Sequence, residues 1–137
     1  MMYRIDVELA APVNDTEVTE RIVTAVENLV PGAEIERAPG EVRAETHSLD
    51  HFSELLHDQE ILDSARNEFF ADRQGDVVRV ALKKQAAFEG VVNFAVGEPD
   101  ELGDIELRIR VHEPSVEEYI NHIAPPTEDG TPVNDRS

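Results

Sequence analysis

Lysine occurs twice in this chain, at the adjacent positions Lys83 and Lys84, and Gln85 follows directly. Two ammonium groups and an amide at the end of a predicted strand offer charge-assisted hydrogen bonds to a phosphate or a carboxylate. Arg66 and Arg73 fall two turns apart on one flank of the helix predicted just upstream, and Gln59 extends that row backwards. Arg66, Arg73, Lys83, Lys84 and Gln85 are therefore the candidate binding residues. A plainer reading stands beside this one: Asp63 and Asp72 pair with the arginines, and the lysines keep a strand end soluble.

Other chemistry leaves fainter marks. His47 and His51 have the spacing that puts two metal ligands on one helix face, with Asp50 and Glu54 nearby. Yet Ser48 is placed to cap a helix between them, no Glu follows the first His as in H-E-x-x-H, and no pattern supplies a third ligand. They read as exposed histidines at a helix start, with no metal. Thirty carboxylates make coincidental acid pairs inevitable, so no general acid or base stands out. Phosphate-binding and nucleophile glycine motifs are missing too. No catalytic residue and no cofactor is called for, and the expectation is a protein that is not an enzyme. Phe88 and Phe94 have the chemistry to stack on bases, but aromatics in short apolar segments more often serve a core.

The elements that must position these groups follow from periodicity. Tyr3, Ile5, Val7 and Leu9 alternate with Arg4, Asp6 and Glu8 as in a half-buried strand. Asn14 and Glu17 form a capping box, with Val13 and Val18 as the staple, for a helix that ends at Pro31-Gly32. Residues 33–38 and 41–46 read as a hairpin turning at Pro39-Gly40. Ser48 opens a second helix and Asp58 breaks it and caps a third, which Gly75 closes. Val78, Val80 and Leu82 mark a strand, residues 84–89 one helical turn, and Val92, Phe94 and Val96 another strand facing inward. Ile105, Leu107, Ile109 and Val111 give the cleanest strand, and Pro114 sits in the first turn of a last helix.

This order, β-α-β-β-α-α-β-β-β-α, predicts an α+β class with one mostly antiparallel, mixed sheet and helices packed on one face. The expected division is one domain over residues 1–125 and a loosely ordered tail over 126–137. Collecting the outward strand positions gives an open face of Arg4, Arg43, Arg79, Lys83, Arg108 and Arg110, crossed with Asp6, Glu8, Glu41, Glu45, Asp104 and Glu106. Such a lattice pairs with itself across strands, or it serves RNA or a second subunit.

Composition bounds the setting. With 137 residues the chain is long enough for a single core without staples, and it has no Cys, which suits a reducing cytoplasm. It has neither the pattern of a signal peptide nor an apolar run of membrane-spanning length. The net charge of −18 is spread along the sequence, and the scarcity of Lys points to a cell with molar internal salt. At about 1 M salt the Debye length is about 3 Å, so long-range repulsion of phosphates fades, and counterion release fades with it. Binding of a nucleic acid would then rest on stacking and short hydrogen bonds.

Three runs carry a resemblance: Asp58-Gln59-Glu60-Ile61-Leu62-Asp63-Ser64-Ala65-Arg66, Lys84-Gln85-Ala86-Ala87-Phe88 leading to Val92-Asn93-Phe94, and Leu102-Gly103-Asp104-Ile105-Glu106-Leu107. They resemble an uncharacterised archaeal family of small predicted RNA-binding proteins carried under a UPF label. The likeness extends from the first strand to Ala124-Pro125-Pro126-Thr127 and Gly130-Thr131-Pro132-Val133. It implies a fold similar to ribosomal protein L-five, and RNA or a ribonucleoprotein as partner for a haloarchaeal member. The alternative is a structural or protein-interaction module, homodimeric through the open sheet face, without a nucleic-acid role.

Overall fold

The computed structural model describes residues 3–97, 100–128 and 131–132. In chain order these form β1 (Arg4–Pro12), α1 (Thr19–Leu29), β2 (Glu34–Ala38), β3 (Glu41–Thr46), α2 (Asp50–Asp58), α3 (Leu62–Ala71), β4 (Arg73–Gln74), β5 (Val77–Leu82), α4 (Lys84–Phe88), β6 (Ile105–Glu113), α5 (Val116–Ile123), β7 (Thr127–Glu128) and β8 (Thr131–Pro132). The first six strands make one sheet in the order β2-β3-β1-β6-β5-β4, while β7 and β8 pair with each other. Every ladder is antiparallel, so the mostly antiparallel sheet expected from the sequence is antiparallel throughout.

Period-two patterning does what it should along the central strands. Ile5, Val7, Leu9 and Ala11 of β1 and Ile105, Leu107, Ile109 and Val111 of β6 are buried, and the residues between them face out. The covered face receives Ile22, Val26 and Leu29 from α1, Phe52 and Leu56 from α2, Ala65 and Phe69 from α3, and Ile120 and Ile123 from α5. At about 25 cal/mol per Å² of apolar surface, this single-sided burial is the main stabilising term. The other face of the sheet is left open.

Register on the open face is fixed by these pairings. Glu34, Glu45, Glu8, Arg108 and Arg79 lie side by side across β2, β3, β1, β6 and β5. A bulge between Arg4 and Ile5 lets β6 present both His112 and Glu113 outward. His112 Nε2 lies 2.7 Å from Asp6 Oδ2, and Arg4 donates to Glu113 at 3.3 Å. Arg108 lies 4.0 Å from Glu8, and Arg110 donates to Asp76 at 3.4 Å. Much of the lattice therefore pairs internally.

Several local expectations are corrected. Asn14 and Glu17 do bond reciprocally, Asn14 N–H to Glu17 Oε1 and Glu17 N–H to Asn14 O, but they close a turn ahead of α1. Val18 then begins the helix without a side-chain cap, and it is 59 % exposed, so it forms no staple. Asp58 is the last residue of α2 and caps nothing; the break falls at Glu60, whose φ of 58° is left-handed. Gly75 sits in the tight turn from β4 to β5, where Gln74 pairs with Val77, and α3 has already ended at Ala71. Residues 91–96 form one bridge, Leu82 to Phe94, in place of a strand. Val92 is buried there but Val96 is 62 % exposed, because a short run on the sheet edge cannot turn every alternate side chain inward. Pro114 precedes α5 without entering it; Ser115 caps that helix by accepting from Glu118 N–H.

Candidate nucleic-acid interface

The five candidate residues divide between two places, and three of them are engaged in holding the fold together. Arg66, on α3, donates from Nη1 to Asn121 Oδ1 at 2.6 Å and to Ala124 O at 2.9 Å, and its guanidinium lies over the Phe70 ring. It fastens the C-terminal end of α5. Arg73, on β4, lies 3.1 Å from Glu117 in the first turn of the same helix. The two arginines thus serve α5, one at each end.

Lys84 is the only charged residue buried among those described, at 8 % exposure. Its Nζ donates to Pro12 O at 2.9 Å, Glu17 Oε1 at 2.8 Å and Leu102 O at 2.7 Å. An ammonium has three protons, and all three are used. Burial pushes the Glu17 carboxyl up, but hydrogen bonds from Lys84 and Asn14 outweigh it and hold the group below its ordinary value. Lys84 therefore ties the end of β1, the turn before α1 and the loop before β6 to α4.

Its neighbours face outward. Lys83 ends the β5 alternation by capping α4, so it leaves the open sheet face on which the pattern had placed it. With Gln85 it lines a groove of about 400 Å³ between α1 and α4, and Lys83 has no ion pair among the described residues. Across the groove Arg21 of α1 lays its guanidinium 5.0 Å from the centre of the Phe88 ring. Val18 and Leu102, both exposed apolar side chains, form the lip. A cation–aromatic platform beside an ammonium and an amide is a mixture suited to a stacked base with a phosphate next to it.

Arg21 was missed by sequence reading. It sits on the polar flank of an amphipathic helix, and nothing local marks it; only packing of α4 on α1 brings Phe88 beneath it. The histidine pair is not brought together as ligands. His47 Nδ1 lies 3.2 Å from Asp6 across β1, whereas His51 lies 3.8 Å from Glu54. Among the described residues no group of three or more His, Asp or Glu is arranged to hold a metal.

A one-sided, antiparallel α+β sheet with these elements defines the class to which the chain belongs. The model of a family described as "RNA binding" matches residues 6–112, most of the sheet and all but the last helix. The chain belongs to that family, and its relatives carry the name UPF0201. A UPF0200/UPF0201 protein of Archaeoglobus fulgidus is 36 % identical over 132 residues, covering 96 % of this chain and 41 % of that longer protein. The chain thus spans less than half of that relative. A UPF0201 protein of Thermococcus onnurineus is 35 % identical, covering 93 % of this chain and 97 % of its own. The crystal structure of a UPF0201 protein from Methanococcus jannaschii superposes with a TM-score of 0.86 at 32 % identity, covering 94 % of this chain and 99 % of that one.

Proposed function

We propose that this protein is a non-enzymatic RNA-binding protein of a haloarchaeal cytoplasm, with an L-five-like fold, and that it takes single-stranded RNA in the α1–α4 groove. The observation that carries this reading is the Arg21–Phe88 platform beside Lys83, which has no ion pair among the described residues. The family description supports the ligand class. The open sheet face is a poorer candidate. Its arginines are largely matched by carboxylates, and none of the residues exposed at its centre is aromatic.

Within the groove, Phe88 and Arg21 supply a sequence-tolerant stacking surface, worth about 1–3 kcal/mol per base. Lys83 and Gln85 hold the adjoining phosphate or sugar. Two cations, Arg21 and Lys83, take part among the described residues, so the salt dependence is shallow: for single strands, two phosphate contacts give a log–log slope of about −1.4. That is the form of recognition an acidic protein can use in concentrated salt.

Fluorescence anisotropy with a labelled single-stranded RNA of mixed sequence, at dilute and at molar KCl, tests the reading. Replacing both Arg21→Glu and Lys83→Glu is expected to weaken binding at least tenfold, with Arg79→Glu on the open face as the unaffected control. Absence of wild-type binding at either salt, or equal affinity of the double variant, would overturn the proposal. Lys84 is unsuitable for this purpose, because its loss damages the fold.

A further inference from the structure

We infer that the α1–α4 groove selects bases that carry an exocyclic amino group over uracil, and that the Glu17 carboxylate makes the selection. This rests on the RNA reading above. It adds a specificity that stacking on Arg21 and Phe88 does not supply, because every base has a face to stack.

Glu17 is held by an unequal set of bonds. Its Oε1 accepts from Asn14 N–H at 3.0 Å, from Asn14 Nδ2 at 2.9 Å and from Lys84 Nζ at 2.8 Å. Its Oε2 accepts from none of the described residues, although each oxygen of a carboxylate can take about two hydrogen bonds. The side chain is 13 % exposed and lines the groove, and Oε2 is not sealed from solvent. One oxygen therefore serves the fold, and the other is left to the groove. Burial raises the carboxyl, and the bonds from Lys84 and Asn14 more than offset that. The group is ionised at neutral pH, so Oε2 accepts and has no proton to give.

The surroundings of Glu17 are fixed in the same way. Leu102 O accepts from both Lys84 Nζ and Asn14 Nδ2 at 2.7 Å, and Leu102 N–H donates to Asp100 Oδ1 at 3.1 Å. Asp100 also lines the groove and brings a second carboxylate to it. With Lys83 and Gln85 on phosphate or sugar and Arg21 under the base, the groups left for a base edge are acceptors.

Base chemistry then decides. Cytosine N4, adenine N6 and guanine N2 are amines that donate to a carboxylate oxygen, and Glu or Asp accepting from cytosine N4 is a recurrent pairing. Uracil presents one ring N–H between two carbonyl oxygens, so the same approach sets acceptor against acceptor. Glu17 cannot swing aside without breaking its bond to Lys84, and a fixed, unmatched acceptor is what rejects the wrong ligand. Cytosine and uracil are the informative pair, because they are pyrimidines of one size that differ at this edge.

Fluorescence anisotropy in molar KCl at neutral pH, with oligocytidylate and oligouridylate of equal length, tests this. The wild type is expected to hold oligocytidylate about tenfold more tightly. An oligomer of N4,N4-dimethylcytidine, which lacks the amino hydrogens, should lose that advantage with the protein unaltered. Glu17→Gln, checked for folding by circular dichroism, should turn the preference toward uracil: Lys84 and Asn14 retain its amide oxygen, which leaves the NH2 to the groove. Equal affinity of the wild type for the two oligomers, a preference that survives dimethylation, or a folded Glu17→Gln that still favours cytosine would overturn the inference while leaving RNA binding in place. A wild type that binds neither oligomer would overturn both.

Discussion

At the scale of single residues, two adjacent lysines of identical chemistry have opposite roles because of where the strand ends. Lys84 turns inward at the start of α4 and satisfies three acceptors; Lys83 turns to the groove. Replacing Lys84 with Met keeps the aliphatic stem but strands the Glu17 carboxylate and two carbonyls, and removing one partner of a buried pair costs about 3 kcal/mol. Chemical denaturation should show that loss for Lys84→Met, against a change within about 0.5 kcal/mol for Lys83→Met. Equal effects at the two positions would refute this division of labour. Glu17 gives the same contact a pH signature. Its folded carboxyl lies below the ordinary 4.5, so its stabilisation is fully present above that value and is lost as pH falls through the lower folded value. The stability difference between wild type and Glu17→Gln should therefore be constant above about pH 6 and shrink through the acid range below 4.5. A difference that does not change with pH would mean that Glu17 is not the titrating partner.

At the scale of elements, close approaches and side-chain clamps replace regular pairing where the sheet runs out. Gln59 holds Val92 like a strand neighbour, donating from Nε2 to Val92 O at 2.9 Å and accepting from Val92 N–H at 2.8 Å. Gly103 combines a left-handed φ of 85° with a site where an added Cβ would stand 2.5 Å from Pro12 Cγ. Gly103→Ala is expected to lower stability by at least about 1 kcal/mol and to loosen the lip of the groove, read as a lower melting temperature. Unchanged melting would show that the loop relaxes freely. These two residues also show what was legible beforehand. Strands β1, β5 and β6 and the β2–β3 hairpin followed from period two and from Pro39-Gly40, because their patterns reflect burial on one face. Gln59 looked like part of an exposed basic row, and residues 91–96 looked like a strand. In both cases the deciding partner is distant in sequence, and periodicity carries no trace of it. The groove was half visible for the same reason: Lys83, Gln85 and Phe88 are neighbours in the chain, whereas Arg21 reaches them only through helix packing.

At the scale of the whole molecule, the charge of −18 is a property of the surface and not of the fold. Among the described residues no helix is long and apolar enough to cross a membrane. The acidic rows and flanks repel one another in dilute buffer, at a Debye length of about 10 Å in 0.1 M salt, and this opposes compaction. Raising the salt to about 1 M removes nearly all of that repulsion. It leaves untouched the buried Lys84–Glu17 contact, which solvent ions cannot enter. The exposed ion pairs on the sheet, each worth under about 1 kcal/mol, lose less than the molecule gains. Thermal unfolding followed by circular dichroism should accordingly shift to higher temperature from dilute to molar KCl, and most of the rise should come at the low end, where screening changes fastest. A chain stabilised chiefly by its surface ion pairs would show the reverse, with melting falling as salt is added. Sodium and potassium chloride should act alike if screening is the cause, and a large difference between them would point to cations bound at the adjacent glutamates Glu34, Glu45 and Glu8 of the open face.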